Sequence, residues 1–153
     1  MRRHESIAAL SRDHHFGLLF CWKIRQGIKK QVPAERIKPY VKYFWSNHLQ
    51  QHFEEEETLL FTALQDNLVA QAISEHEHIK QLIEVITGAG SFQPDQFRAL
   101  ADALDKHIRF EERILFPYIE ETLSAEKLTR LGKRLQQIHQ TGEKDDYPDE
   151  FWV

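Results

Sequence analysis

The chain is poor in cysteine, glycine and proline, with one, six and five of these among its 153 residues. The single cysteine, Cys21, cannot form an internal disulfide, so we expect a reducing, cytoplasmic environment. No apolar run approaches the ~18 residues that a membrane-spanning helix requires, and the charged first residues lead into an amphipathic pattern rather than a signal peptide. The net charge of −4 comes without a clustered basic stripe, which argues against a nucleic-acid partner.

Apolar residues recur at helical spacing along almost the whole chain. The pattern predicts four long helices over about residues 6–30, 34–64, 68–87 and 94–122, and a shorter fifth helix over about 124–139. Short connectors between long helices are typical of an up-down-up-down four-helix bundle, with Pro117 expected to kink the fourth helix or end it early. We therefore expect an all-α fold with one bundle domain, residues 1–140, and an acidic tail, residues 141–153. The tail is either a disordered end or a strap that docks its aromatic residues on the bundle, and partial docking is favoured because Phe151 and Trp152 would be an odd exposed pair.

Each long helix has one apolar face at three- and four-residue steps, which predicts its buried side. The predicted members are Ile7, Leu10, His14, Leu18, Cys21, Ile24 and Ile28 on the first helix; Val41, Trp45, Leu49, His52, Glu56 and Leu59 or Leu60 on the second; Val69, Ile73, His76, Ile79, Ile83 and Ile86 on the third; and Phe97, Leu100, Leu104, His107, Glu111, Ile114 and Tyr118 on the fourth. Histidine and glutamate in the middle of such faces indicate a buried polar site.

Two segments of the chain carry the same pattern, a His followed at +4 and +5 by Glu and at +8 and +9 by Leu-Phe. The first copy is His52, Glu56, Glu57, Leu60 and Phe61, and the second is His107, Glu111, Glu112, Leu115 and Phe116. On an α-helix the +4 residue lies about 6 Å along the axis on nearly the same face, so His and Glu can bind one metal together. The helix before each copy carries an acid-His pair, Asp13-His14 or Glu75-His76.

A buried carboxylate without a partner costs several kcal/mol or becomes protonated, and metal coordination removes that cost. The alternative is a buried His–Glu hydrogen bond made twice. The predicted metal ligands are His14, His52, Glu56, His76, His107 and Glu111. Four imidazoles and two carboxylates able to bridge suit two metal ions of the middle transition series, iron above all. A zinc protease is not indicated, because HExxH is absent.

With the motif H…HxxxE…H…HxxxE in order over about residues 5–120, the chain resembles the hemerythrin-like family of cation-binding helical bundles. The resemblance implies that the six ligands hold a non-haem di-iron centre, with two iron ions as cofactor, which binds O₂ reversibly or senses oxygen, NO or iron. Respiratory members have a further His one turn after the third-helix ligand, where this chain has Lys80. That departure implies an open or water-filled position on one iron and weighs against simple O₂ carriage.

Several residues near the ligands leave alternatives open. His14 shares the apolar face of the first helix and is preferred over its neighbour His15. His48, one turn before His52, either replaces the missing ligand or lines the pocket. Cys21 either packs in the core or lines the pocket above the metals. Three glutamates are either solvated or accept hydrogen bonds from ligand imidazoles: Glu55, Glu57 and Glu112.

The function that these features favour is binding of O₂ or NO by a sensor or buffer, since an open metal position in an apolar pocket suits a diatomic ligand. Alternatives are a di-iron oxidase or peroxide-reducing enzyme and an iron donor for iron–sulfur cluster repair. Ferritin-like enzymes use paired Glu-x-x-His strings, and this chain has one, Glu75 to His78. Iron donors of the family usually carry an extra Cys-bearing N-terminal segment. The oligomeric state and any enzymatic activity stay open.

Overall fold

The computed structural model describes residues 3–88, 93–138 and 145–153. In chain order its elements are α1 (Ala8–Lys29), α2 (Ala34–Phe44), a π-helix (Trp45–Leu49), α3 (Gln50–Glu55), a second π-helix (Glu56–Leu60), a 3₁₀ turn (Phe61–Ala63), α4 (Asn67–Thr87), α5 (Pro94–Phe110), a third π-helix (Glu111–Leu115), α6 (Phe116–Thr122) and α7 (Ala125–Ile138). The predicted connector residues 89–92, helix end at His139 and tail residues 141–144 lie outside the described residues.

The all-α prediction is confirmed, because the described ranges contain helices and no strand. Residues 34–63 and 94–122 each run without a break and form the second and fourth long helices. α1 packs against α5, and α4 packs against both α2 and α5. Ser11 bonds to Glu112 and Cys21 to Ala101, so the first and fourth long helices run antiparallel. Within the described ranges, none of the helices has both the length and the apolar character needed to cross a membrane.

Local side chains mark several helix starts. Asp66 precedes α4 and accepts a hydrogen bond from the Leu68 N–H at 2.8 Å, as an N-cap residue does. Pro94 opens α5, where its missing N–H would have no helical partner. The predicted early end at Pro117 is wrong, because the helix continues to Thr122. A π-helix ends just before Pro117, so the proline falls where the regular backbone bonding is already interrupted.

The π-helices shift the buried face of the helices that contain them. Ile114, predicted to face the core, is 51 % exposed, and Leu115 is fully buried in its place. The i→i+5 bonding of a π-helix widens the turn, so the residues four and five positions after its first residue face inward rather than those at three and four. In the second long helix the same shift selects Leu60, which is buried, over Leu59.

Two other residues predicted on buried faces are exposed, Leu18 on α1 and Ile73 on α4. In each case the smaller residue just before it, Gly17 or Ala72, faces the core. A Cβ atom at Gly17 would lie only 2.6 Å from Cδ1 of Ile108, so α1 and α5 approach closely here. Which residues of these helices face the core therefore depends on where two helices approach most closely, and not on which apolar side chain is the largest.

The apolar core forms two clusters on either side of the mid-height of the bundle. One lies around the second half of α1, α2 and α5 and includes Phe20, Tyr40, Phe53, Ile79, Leu104 and Ile108. The other lies around the start of α1, α6 and α7 and includes Leu10, Leu60, Ala72, Leu115, Phe116 and Leu131. On the first and third long helices, His14 and His76 fall between the residues of the two clusters. On the second and fourth, the predicted metal ligands lie at the boundary between the two clusters.

The described part of the tail docks on the bundle as predicted. Phe151 is buried in the first core cluster, where its ring lies 2.9 Å from the position of a Cβ at Gly27. Lys23 forms a buried ion pair with Asp145 at 3.0 Å, and its Nζ lies 3.9 Å from the centre of a Trp152 ring. The tail therefore contributes both apolar packing and a cation–π contact to the fold.

Replacing Phe151 by Ala should lower the free energy of unfolding by about 3–5 kcal/mol, because it empties a packed aromatic site. Val153 lies two residues further on and is 76 % exposed, so Val153→Ala should stay within about 0.5 kcal/mol of the unmodified protein. Urea unfolding followed by circular dichroism measures both. Equal stability of the two variants would show that the tail does not support the fold.

Candidate metal centre

The six predicted ligands are buried and meet between the two core clusters. α1, α3, α4 and α5 each contribute one histidine, and two π-helices each begin with a glutamate: His14, His52, His76, His107, Glu56 and Glu111. Both glutamates have no solvent exposure at all. The sequence prediction of which residues come together therefore agrees with the geometry.

The ligand atoms fall into two groups that share both glutamates. One group is His14, His52, Glu56 and Glu111, and the other is Glu56, His76, His107 and Glu111. Within each group the donor atoms lie within 4.8 Å of one another. The first group takes its histidines from the first and second long helices, and the second group from the third and fourth. The histidines of each donor group therefore come from one copy of the internal sequence repeat.

Most donor atoms at the centre have no hydrogen-bond partner among the described residues. They are Nε2 of His52, His76 and His107, both carboxylate oxygens of Glu56, and Oε2 of Glu111. Only His14 makes a well-formed bond, from Nε2 to Glu111 at 2.8 Å. The other imidazole–carboxylate distances run from 3.2 to 3.8 Å. Repeated His–Glu hydrogen bonds thus explain one histidine of four, whereas one cation in each group would satisfy every atom.

Each ligand imidazole binds a second carboxylate through its other nitrogen, Nδ1. The pairs are His14–Glu112, His76–Glu57 and His107–Glu75 at 2.7 Å and His52–Asp13 at 3.0 Å. An ionised carboxylate can only accept, so each Nδ1 carries a proton and each Nε2 faces the centre, where it would offer its lone pair to a bound cation. These outer carboxylates have 26–30 % exposed side chains and face both the imidazole and solvent.

The outer carboxylates follow the internal repeat as well. Of the two alternatives for Glu57 and Glu112, the structure supports the one in which they accept hydrogen bonds from the imidazoles at the centre. Glu55 is buried, so of its two alternatives the solvated one is wrong. The roles of Asp13 and Glu75 were missed by the sequence reasoning. The signal was present, because in both repeats an acid stands directly before the first histidine and bonds to the histidine of the following helix.

The carboxylates make the centre a strong site for positive charge. Burial by itself lowers the pKa of His76 and His107, but the surrounding carboxylates outweigh it and raise the pKa to about 10 and about 9. Burial alone would raise the pKa of Glu111, yet the charge of His107 and bonds to the imidazoles hold it well below its usual range. A bound cation would supply this positive charge in place of the imidazole protons.

The remaining histidines near the centre lie outside both groups. His15 is exposed and His14 is buried, which confirms the preference for His14 as the inward residue of this pair. His78 is exposed as well. Lys80, at the position of the missing family ligand, bonds to Glu77 at 3.3 Å. His48 belongs to neither group of donors. The geometry therefore favours His48 as a pocket-lining residue rather than a replacement ligand.

Cys21 is a packing residue. Its thiol donates to the Ala101 carbonyl at 3.3 Å, and burial raises its pKa to about 12. It is not part of the cavity wall beside the centre. Of the two alternatives for this residue, the structure supports packing in the core.

A cavity of about 50 Å³ lies beside the centre, with room for a few water molecules or one small ligand. Three ligand imidazoles form part of its wall: His14, His52 and His107. The apolar wall is Phe16, Gly17, Phe44, Leu49, Phe53, Leu104 and Ile108, and the polar wall is Asp13, Asn47, His48, Gln51 and Glu55.

A family model, the hemerythrin HHE cation binding domain, matches residues 7–119 of the chain. Searches of curated proteins and of solved structures found no significant match. The matched residues include all six predicted ligands and the four outer carboxylates, and they end before α7 and the tail.

Replacing Glu57 by Gln should lower metal affinity about tenfold to hundredfold, because a neutral amide holds His76 less firmly and makes its Nε2 a weaker donor. Competition with a chromophoric chelator for Fe²⁺ measures the change. Glu54→Gln is the matched control, since Glu54 lies on the same helix but is exposed. An unchanged affinity in Glu57→Gln would mean that the outer carboxylate does not support the ligand.

Proposed function

Because the chain belongs to the hemerythrin HHE cation-binding family, we propose that it holds two iron ions and binds O₂ or NO as a sensor or buffer. The observation that carries the proposal is the pair of four-residue donor groups that share Glu56 and Glu111 beside a small cavity. We place this function in the cytoplasm, in keeping with the single free cysteine, Cys21.

The donor set favours iron. Each group has two imidazoles and two carboxylates and no thiolate, and two histidines with a carboxylate are typical of non-haem iron sites with open positions. Structural zinc sites are usually closed and often rich in cysteine. Four protein donors for each ion leave positions open on a metal that prefers six ligands. Iron bound here would supply those open positions and a reversible change of oxidation state.

The size of the cavity supports a diatomic ligand. At about 50 Å³ it excludes bulky substrates, and apolar residues form about half of its wall, with Phe53, Leu104 and Ile108 close to the ligand histidines. The protein's own part is to orient the four imidazoles through their outer carboxylates, to keep bulk water away, and to leave one side of the centre accessible.

The alternatives receive less support. Iron donation for cluster repair requires ready release, whereas the six ligands are buried and Cys21 is engaged with a backbone carbonyl. An oxidase of larger substrates would need a wider cavity. Reduction of peroxide fits the size of the cavity, and turnover of hydrogen peroxide by the iron-loaded protein would favour that function over reversible gas binding.

Protein loaded with iron under anaerobic conditions should contain about two iron atoms per chain, because the donors form two groups. Its visible absorption spectrum should change on addition of O₂ or NO. Elemental analysis and spectroscopy under anaerobic, O₂ and NO conditions test both statements. One zinc and no iron after the same loading would contradict the proposal.

His52→Ala and His107→Ala should each lose most of the metal, because one group keeps only three donors and the carboxylates are left uncompensated. The melting temperature should fall by about 2–4 °C for each kcal/mol of binding free energy lost. His78→Ala is the control, since His78 is exposed on α4. A melting temperature and a metal content like those of the control would show that the two histidines are not ligands.

A further inference from the structure

His48 shares the cavity with the ligand imidazoles although it belongs to neither donor group. Three of those imidazoles, on His14, His52 and His107, form part of the same cavity wall. A molecule small enough for this cavity would therefore lie close to both the metal ligands and His48. The side chain is placed to act on what binds there without coordinating the metals.

Aromatic rings hold the His48 ring on three sides. Phe16 stacks on it with a centroid distance of 5.8 Å, Phe44 lies 5.4 Å away, and Tyr43 meets it edge-on at 5.9 Å. Tyr43 is itself held by Tyr147 of the tail, at 5.1 Å between ring centres. The imidazole is therefore fixed before any ligand arrives, and little entropy is lost when it forms a hydrogen bond.

The Nε2 atom of His48 is buried and has no hydrogen-bond partner among the described residues. A buried polar atom without a partner costs stability, so such atoms in folded proteins call for an explanation. His48 also lies in the π-helix Trp45–Leu49, where the Asn47 side chain donates to the Tyr43 carbonyl at 2.8 Å. π-helical turns are rare and often occur at functional sites.

We infer that His48 donates a hydrogen bond from Nε2 to a ligand in the cavity, and that this bond strengthens the binding of small anions of the azide class more than the binding of neutral diatomic molecules. This inference rests on the proposed function, since the anion is bound at the metal centre. An anion accepts a charge-assisted hydrogen bond, which is stronger than one to a neutral molecule. A neutral imidazole has one donor and one acceptor nitrogen, and an anion in the cavity favours the form with the proton on Nε2. His48 is therefore a positioning and selectivity residue rather than a metal ligand.

The test compares unmodified protein, His48→Leu and His48→Gln, each loaded with iron, with azide as the anionic probe and NO as the neutral one. His48→Leu removes the donor at similar size, and His48→Gln keeps an N–H donor on a side chain of similar reach. Azide affinity should fall about ten- to hundredfold in His48→Leu and recover in His48→Gln, whereas NO affinity changes much less. The azide infrared band should shift in D₂O for the unmodified protein and His48→Gln only.

Metal-free protein gives an independent reading. Urea unfolding of metal-free protein compares His48→Leu with His48→Gln, because both variants lose the ring contacts with Phe16, Phe44 and Tyr43. His48→Gln should be no more stable than His48→Leu, since Nε2 of His48 is a buried nitrogen without a partner among the described residues. A clearly higher stability of His48→Gln would overturn the inference by showing that an N–H donor at this position has a structural partner.

Three further results would overturn it: an azide affinity unchanged in His48→Leu, an equal loss of azide and NO affinity, or the loss of one iron, which would make His48 a ligand. Unmodified protein that takes up no iron would instead contradict the proposed function. Iron-loaded protein that binds NO but not azide would overturn the His48 inference alone.

Discussion

The burial of two glutamate carboxylates in the middle of an apolar bundle is the constraint on which the rest of the structure depends. Glu56 and Glu111 have no solvent exposure, and core residues lie on either side of them. Removing such groups from water costs several kcal/mol for each ion unless opposite charge lies close by. Four imidazoles meet this need, and each imidazole is in turn held by an outer carboxylate that reaches solvent. From the centre outward, negatively charged glutamates are therefore followed by imidazoles and then by negatively charged outer carboxylates.

The π-helices help to keep the two glutamates at the buried centre. Glu56 and Glu111 each begin a π-helix, and in both cases the Leu-Phe pair that follows faces the core. A regular α-helix could not turn both residues of such a pair inward at that point while also keeping the glutamate at the centre. The repeated Leu-Phe pair after each His-x-x-x-Glu is therefore the sequence counterpart of the widened turn.

The long helices and the six residues at the centre could be predicted from the sequence because both depend on local periodicity and on a repeated motif. The exposure of Ile114 could not, because a π-helix changes the phase of an α-helical pattern. Leu18 and Ile73 were assigned to the core because helical phase says nothing of where two helices approach most closely, as they do at Gly17. Which carboxylate serves which imidazole also depends on contacts between helices, so the roles of Asp13 and Glu75 appeared only with the fold.

We propose that two metal ions share Glu56 and Glu111. Anomalous scattering from crystals of iron-loaded protein, recorded above and below the iron absorption edge, is the decisive measurement. We expect two iron peaks in each chain, one beside His14 and His52 and the other beside His76 and His107, with both glutamates between them. A single peak at the centre, or iron bound only at the outer carboxylates, would contradict it.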